Sequence, residues 1–187
     1  MTTKETRSDN DLPAAYAWLK SEPGPRIILE ALHCYGTLEL PGEANNPLII
    51  EWAKEVGGWI GTWYHDDYVP WCGLFMAICA KRAGFPHNQK ALSAASWATW
   101  GAPADHPALG DVLVFARPGG GHVGLYVGED RDCYHVLGGN QSDMVCIARI
   151  RKDRLVAARR CDWHIGQPDN VRKIILKPEG AVSANEA

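Results

Sequence analysis

Apolar and polar residues recur with two different periods along this chain, and the change of period divides it into halves. In the first half, "LPAAYAWLK" and "GPRIILEALHCYG" space apolar residues as one face of a helix, and Gly36 is a natural stop. "NNPLIIEWAKEVGG" predicts another helix, with Asn46 as its N-cap and Pro47 at the first position. The run from Cys72 to about Ala83 predicts a further one, closed by Gly84 and carrying Lys81 and Arg82 in its last turn. Ser93 to Trp100 reads as a short helix. After it the period drops to that of strands. "GDVLVFARP", "HVGLYVGED", "CYHVLGG", "MVCIARIR" and "RLVAARRC" are short runs rich in β-branched and aromatic residues, split by Gly, Asp and Asn. Helices followed by an antiparallel sheet predict an α+β domain.

Composition narrows the partners more than the fold. The chain has 187 residues, 46% of them apolar and 22% charged, which suits one globular domain. That domain is expected over residues 13–177, between a disordered N-terminus (1–12) and a disordered tail (178–187) with polar, small-residue composition. Net charge is -3, and basic residues are dispersed except along Arg149–Arg160, which argues against nucleic acid or an anionic membrane as the partner. No apolar run approaches the ~20 residues of a membrane span, so no membrane insertion is expected. "MTTKETRSDNDLP" lacks the apolar middle of a secretory signal, which predicts synthesis and retention in the cytoplasm.

Six cysteines, at positions 34, 72, 79, 133, 146 and 161, form no regular framework. Cys161 and His164 have metal-type spacing, but no second pair matches them, so neither a metal nor a cofactor is expected. Cys72 stands apart because it follows "DDYVPW" and opens a predicted helix. A helix N-terminus favours a thiolate, and the Cys72 N–H would point toward an oxyanion formed at its own sulfur. A buried helix cysteine fits the same pattern, as Cys79 does among Met76, Ile78 and Ala80.

A thiol nucleophile needs a base. His122 begins a strand directly after the glycine-rich Arg117–Gly121 loop, about 50 residues beyond Cys72. A third group should orient its ring, and the register of the hairpin across "EDRDC" decides which. If Gly128 pairs with Tyr134, Asn140 lies opposite His122. A shift of one residue puts His135 and Gly139 on that face. Asn140, in "LGGNQSD", is the narrow preference because two glycines leave room for a close polar contact.

"DDYVPWCGLF", "ALSAASWATWGAP", "GDVLVF", "GHVGLYVG" and "VLGGNQSD" resemble, in that order, the motifs of a phage-type branch of the NlpC/P60 and CHAP cysteine peptidoglycan hydrolases. "YGTLELPGEANNPLIIEWAKEVG" resembles the helical section that precedes them, so the likeness spans roughly residues 14–165. The resemblance implies a papain-like fold and a Cys-His-polar triad that cleaves amide bonds in peptidoglycan stem peptides. Cys72 matches the nucleophile and His122 the base. Asn140 matches the "GGNQ" motif, while His135 lies where many NlpC/P60 members carry a second histidine.

The family's secreted members often carry signal peptides or wall-binding repeats. A chain without them suits a phage endolysin released through a holin, or an antibacterial effector injected by a type VI secretion machine. Either would act in the periplasm or cell wall, and an effector would be matched by an immunity protein. Asp66 and Asp67 resemble acidic residues that precede the family nucleophile, although a turn into the helix explains them equally. Trp71 and Trp97 are candidates for walling a substrate groove, and Asp67 and Gln141 for supporting the groove or the oxyanion. The expectation from a different class is a non-enzymatic wall-binding or tail module of the same fold, or the fold used as a protease or acyltransferase on another substrate.

Overall fold

A computed structural model describes residues 11–42, 44–87, 89–163 and 165–186, and in it the two periods become two layers of a mixed α+β fold. A 3-10 helix, Ala14–Ser21, precedes α1 (Arg26–His33). α2 (Pro47–Val56) begins as its sequence predicts. The Asn46 side chain accepts the Leu48 N–H at 2.9 Å, and Pro47 fills the first position, where a missing N–H costs nothing. Gly57, at φ 81°, breaks α2 and starts the short α3 (Gly58–Trp63). α4 (Cys72–Arg82) is buried at every residue from Cys72 to Ala80, as expected of a helix apolar on all sides. Gly84, at φ 87°, follows its end.

The strands are β1 (Ala102–Pro103), β2 (Val112–Arg117), β3 (Gly120–Glu129), β4 (Cys133–Gly138), β5 (Cys146–Arg151) and β6 (Leu155–Arg160). They form one antiparallel sheet in the order β1-β6-β2-β3-β4-β5. Val112, Val114, Val123, Leu125 and Val127 pack against α4 and the other helices, while Leu113, Phe115, Tyr126, Val136 and Ile150 form a smaller cluster. Alternation along β2 and β3 thus gives the sheet two apolar faces.

The tail expected to be disordered is instead laid against the sheet. Val182 bridges Arg149 of β5, the Ser183 N–H donates to the Arg149 carbonyl at 2.8 Å, and Glu186 is buried in an ion pair with Arg154 at 2.6 Å. β5 is the last strand of the sheet, so its free edge supplies backbone partners that the tail's own composition did not advertise. Of the N-terminus expected to be disordered, residues 1–10 lie outside the described residues, and Asp11 pairs with Lys20.

Candidate active site

Cys72 is the first residue of α4, with Trp71 as its N-cap. The first intrahelical bond runs from the Phe75 N–H to the Trp71 carbonyl, which leaves the N–H groups of Cys72 and Gly73 aimed around the sulfur. Gly73 is required by the close approach of the loop that follows α4, because a side chain there would collide with the carbonyls of Ala91 and Leu92. The thiol is 4% exposed and borders a cleft of about 470 Å³ whose other wall is the Arg117–Gly121 loop. Burial pushes the Cys72 thiol above its ordinary range, opposed by the Val123 N–H, the Arg117 charge and the two helix-start N–H groups. The resting form is therefore the neutral thiol.

The Val123 N–H reaches the sulfur because β4 has left β3 by that point. Pairing with β4 runs from Glu129 only as far as Leu125, so residues 120–124 have no β4 partner. Val123 faces α4, and alternation turns its neighbour His122 to the other face, opposite Phe115. The Val123 N–H at the sulfur therefore brings the thiol beside the strand residue that follows His122. The hydrogen bond of the imidazole goes to Gln141 rather than to Cys72, from Nε2 to Oε1 at 2.9 Å.

That bond settles which ring nitrogen is protonated. The Gln141 amide nitrogen donates to the carbonyls of Cys146 at 2.6 Å and Val136 at 3.2 Å, so its oxygen is the atom facing the ring. An acceptor there requires His122 Nε2 to carry the hydrogen and leaves Nδ1 as the basic nitrogen. Burial is the main cause lowering the His122 pKa, to about 4, against the opposing charge of Glu186 and the Gln141 bond. Gly138 makes this contact possible, since a β-carbon there would crowd both Gln141 Oε1 and His122 Nε2.

Neither candidate for the orienting group holds that position. The hairpin uses both anticipated registers, divided by a bulge between Tyr126 and Gly128. Near the turn Gly128 pairs with His135, and toward His122 the pair is Leu125 with Leu137. The second register would bring Asn140 opposite His122, but the ladder ends first and Asn140 turns away at φ 56°. Its Oδ1 accepts the Trp71 N–H at 3.2 Å, and its amide nitrogen donates to Glu39 at 3.3 Å. Asn140 thereby ties the β4 exit to the residue before Cys72.

His135 belongs to a separate buried network. Its Nε2 contacts Asp130 at 2.9 Å and its Nδ1 contacts the Tyr16 hydroxyl at 2.7 Å. Arg149 also binds Asp130, at 2.8 Å. Burial alone would raise the Asp130 pKa, but hydrogen bonds from the Asp132 N–H, His135, Arg149 and the Cys133 N–H hold it well below the usual carboxylate range.

The remaining candidates are structural in their contacts. Trp71 and Trp97 are fully buried and wall no groove. The Trp71 indole donates to Glu39 at 2.9 Å and packs on Trp52, and the Trp97 indole donates to the Ala91 carbonyl at 2.9 Å. Asp67 accepts the N–H groups of Asn46 at 2.7 Å and Leu40 at 3.2 Å, which pins the turn before α4 to the N-cap of α2. Glu39 and Glu186 were not anticipated. Glu39 clamps Trp71 and Asn140, and no spacing in "YGTLELPG" announces it. Glu186 adds a negative charge beside His122, held by Arg154, from a tail with no periodicity.

Among the described residues no helix is long and apolar enough to cross a membrane, and no three His, Cys, Asp or Glu side chains are grouped to hold a metal ion. His164, of the pair with metal-type spacing, lies outside those residues. In comparisons with known proteins, no family model and no curated protein matches the chain.

Proposed function

We propose that the protein is a cysteine amidohydrolase of papain-like architecture that cleaves amide bonds in bacterial peptidoglycan stem peptides. The observation that carries the reading is a helix-start thiol, facing a cleft, next to a strand whose histidine has its tautomer assigned by a glutamine. The order of elements, nucleophile helix before antiparallel sheet, supports the papain-like architecture. The substrate class rests on the five ordered motifs that resemble the NlpC/P60 and CHAP hydrolases.

In this reading a stem-peptide carbonyl enters the cleft and Cys72 Sγ attacks it, while the thiol proton passes to His122 Nδ1. The resting pair is neutral, because burial raises the thiol and lowers the imidazole, so proton transfer accompanies attack. Substrate binding has to bring Nδ1 within reach of the sulfur, a contact that free enzymes often leave loose. The N–H groups of Cys72 and Gly73 receive the tetrahedral oxyanion. His122 returns the proton to the leaving amine, then activates the water that hydrolyses the thioester.

Digestion of purified sacculi tests this. Wild-type protein should release peptide fragments identifiable by mass, and Cys72→Ala should release none while keeping the same melting temperature. Retained lysis by Cys72→Ala would sink the proposal.

The near-complete burial of Cys72 favours a second reading, a wall-binding or phage-tail module that has kept the fold without the chemistry. Such a module would pellet with sacculi and release nothing. Digestion confined to a non-wall substrate would instead make the protein a protease or acyltransferase. As a wall enzyme it would reach its substrate by holin-type release or by injection, in the latter case with an immunity protein as partner.

A further inference from the structure

Beside the Cys72 cleft lies a second hollow, of about 450 Å³, with an uncommon lining. Trp59 and Trp63, one turn apart on α3, are 45% and 55% exposed, whereas Trp52, Trp71 and Trp97 are buried. Their ring centroids stand 6.0 Å apart at 56°, so the two indoles touch and form one exposed aromatic surface along this shallow trough. Val69 and Leu92 complete its floor. The trough is held in shape, because the Trp59 indole nitrogen donates to the Gln89 carbonyl at 2.6 Å. Pro70, Leu92 and Ser93 line both this trough and the cleft of Cys72, so one ligand can occupy the two together.

Two tryptophans exposed side by side next to a cleft make a contiguous aromatic patch of the kind that marks a binding surface. The π-face of an indole is electron-rich and attracts the weakly positive C–H bonds that line one side of a pyranose ring. A trough of two inclined indoles with polar groups at its rim fits a ring that is apolar on its faces and hydroxylated around its edge. An extended peptide would instead ask for paired backbone donors and acceptors, which an aromatic trough does not offer.

We infer that the Trp59–Trp63 trough is a saccharide subsite that stacks an N-acetylhexosamine ring of the glycan strand, holding the attached peptide over Cys72. The inference deepens the proposed function and rests on it for the identity of the glycan. Stacking a sugar one cleft away from the thiol would make the enzyme prefer peptides still attached to their glycan.

Cys72→Ala protein titrated with N-acetylchitotetraose tests the subsite without any cleavage. The expected result is a saturable shift of the Trp59 and Trp63 indole resonances, with affinity reduced about tenfold in Trp63→Ala, the scale of one aromatic contact. Trp63→Tyr should recover part of it. On substrates, Trp63→Ala should lower kcat/KM at least tenfold more for a disaccharide-peptide than for the same peptide without sugar. Indole resonances unmoved by the saccharide would overturn the inference, as would equal losses on the two substrates or Trp63-dependent binding to lipid vesicles. Failure of the proposed function reads differently, since wild-type protein would then cleave neither substrate while the saccharide titration still reports on the trough.

Discussion

His122 and His135 sit on neighbouring strands, each 1% exposed and each with its pKa lowered first of all by burial. Their partners differ in kind. His135 has both ring nitrogens engaged, by Asp130 and Tyr16, inside a network that Arg149 completes. His122 has one nitrogen committed to a neutral amide and the other in reserve. A histidine satisfied on both sides holds a fold together and has no lone pair to lend. One satisfied on a single side, at the strand where a thiol arrives, can take a proton. Burial and proximity in sequence do not separate the two, whereas counting hydrogen bonds does.

The widest separation should come from replacing each ring. His122→Ala should reduce kcat/KM on muropeptides by about 10³-fold or more with little change in melting temperature. His135→Ala should do the reverse, leaving buried Asp130 and Tyr16 short of a partner. A stability loss of about 3 kcal/mol in denaturant titration, with chemistry largely preserved, is the expected outcome. Should His135→Ala lose activity while remaining fully stable, the division of roles would collapse.

Removing the amide that selects the tautomer is the next largest step. Gln141→Leu should cost about 10²-fold in kcat/KM, because Nε2 loses its acceptor and the ring its orientation. Asn140→Leu should cost less and act through the position of Trp71, so the order of the two variants sharpens the assignment.

The pH profile separates the histidines more finely. The proposed base, His122, can accept a proton only when neutral, and its pKa is lowered to about 4. Activity should therefore persist below pH 6 and fall through an acid limb near pH 4. Gln141→Glu, which puts a carboxylate beside the ring, should move that limb upward. Stability follows its own course. Burial lowers the pKa of both histidines in the folded protein, so below about pH 6.5 the unfolded chain takes up protons more readily than the folded one and stability should decline as pH falls. Thermal melts between pH 7 and 4 would register that decline, reduced in a His135→Gln variant.

The smallest change is at Gly138. Gly138→Ala places a methyl against Gln141 and His122, and a loss of about tenfold in activity with a modest drop in melting temperature is expected. Unchanged activity would mean that the close contact is not needed.

Much of this architecture is legible in the chain itself. The cap at Asn46, the start of α4 at Cys72, the glycine that follows it and the strand runs of the second half arise from short-range causes: side-chain period, missing N–H groups and left-handed turns. The two glycines of "VLGGNQ" do make room, but not for Asn140: Gly138 clears the His122–Gln141 contact and Gly139 lets the chain pass Trp71 and Phe75. What escaped was which neighbour fills the space. Asn140 and Gln141 differ by one residue, and a strand extrapolated in register favours the first. The ladder stops early and the backbone turns at φ 56°, which exchanges their directions.

By itself, then, the sequence determined the elements and singled out Cys72 and His122, because helix starts, strand periods and glycine turns are written in adjacent residues. Only the tertiary structure decided that Gln141 faces the imidazole, that His135 is spent on Asp130, and that the tail closes over the edge of β5. Those outcomes depend on where a ladder ends and which free edge lies nearby, and such long-range geometry has no local signature in the chain.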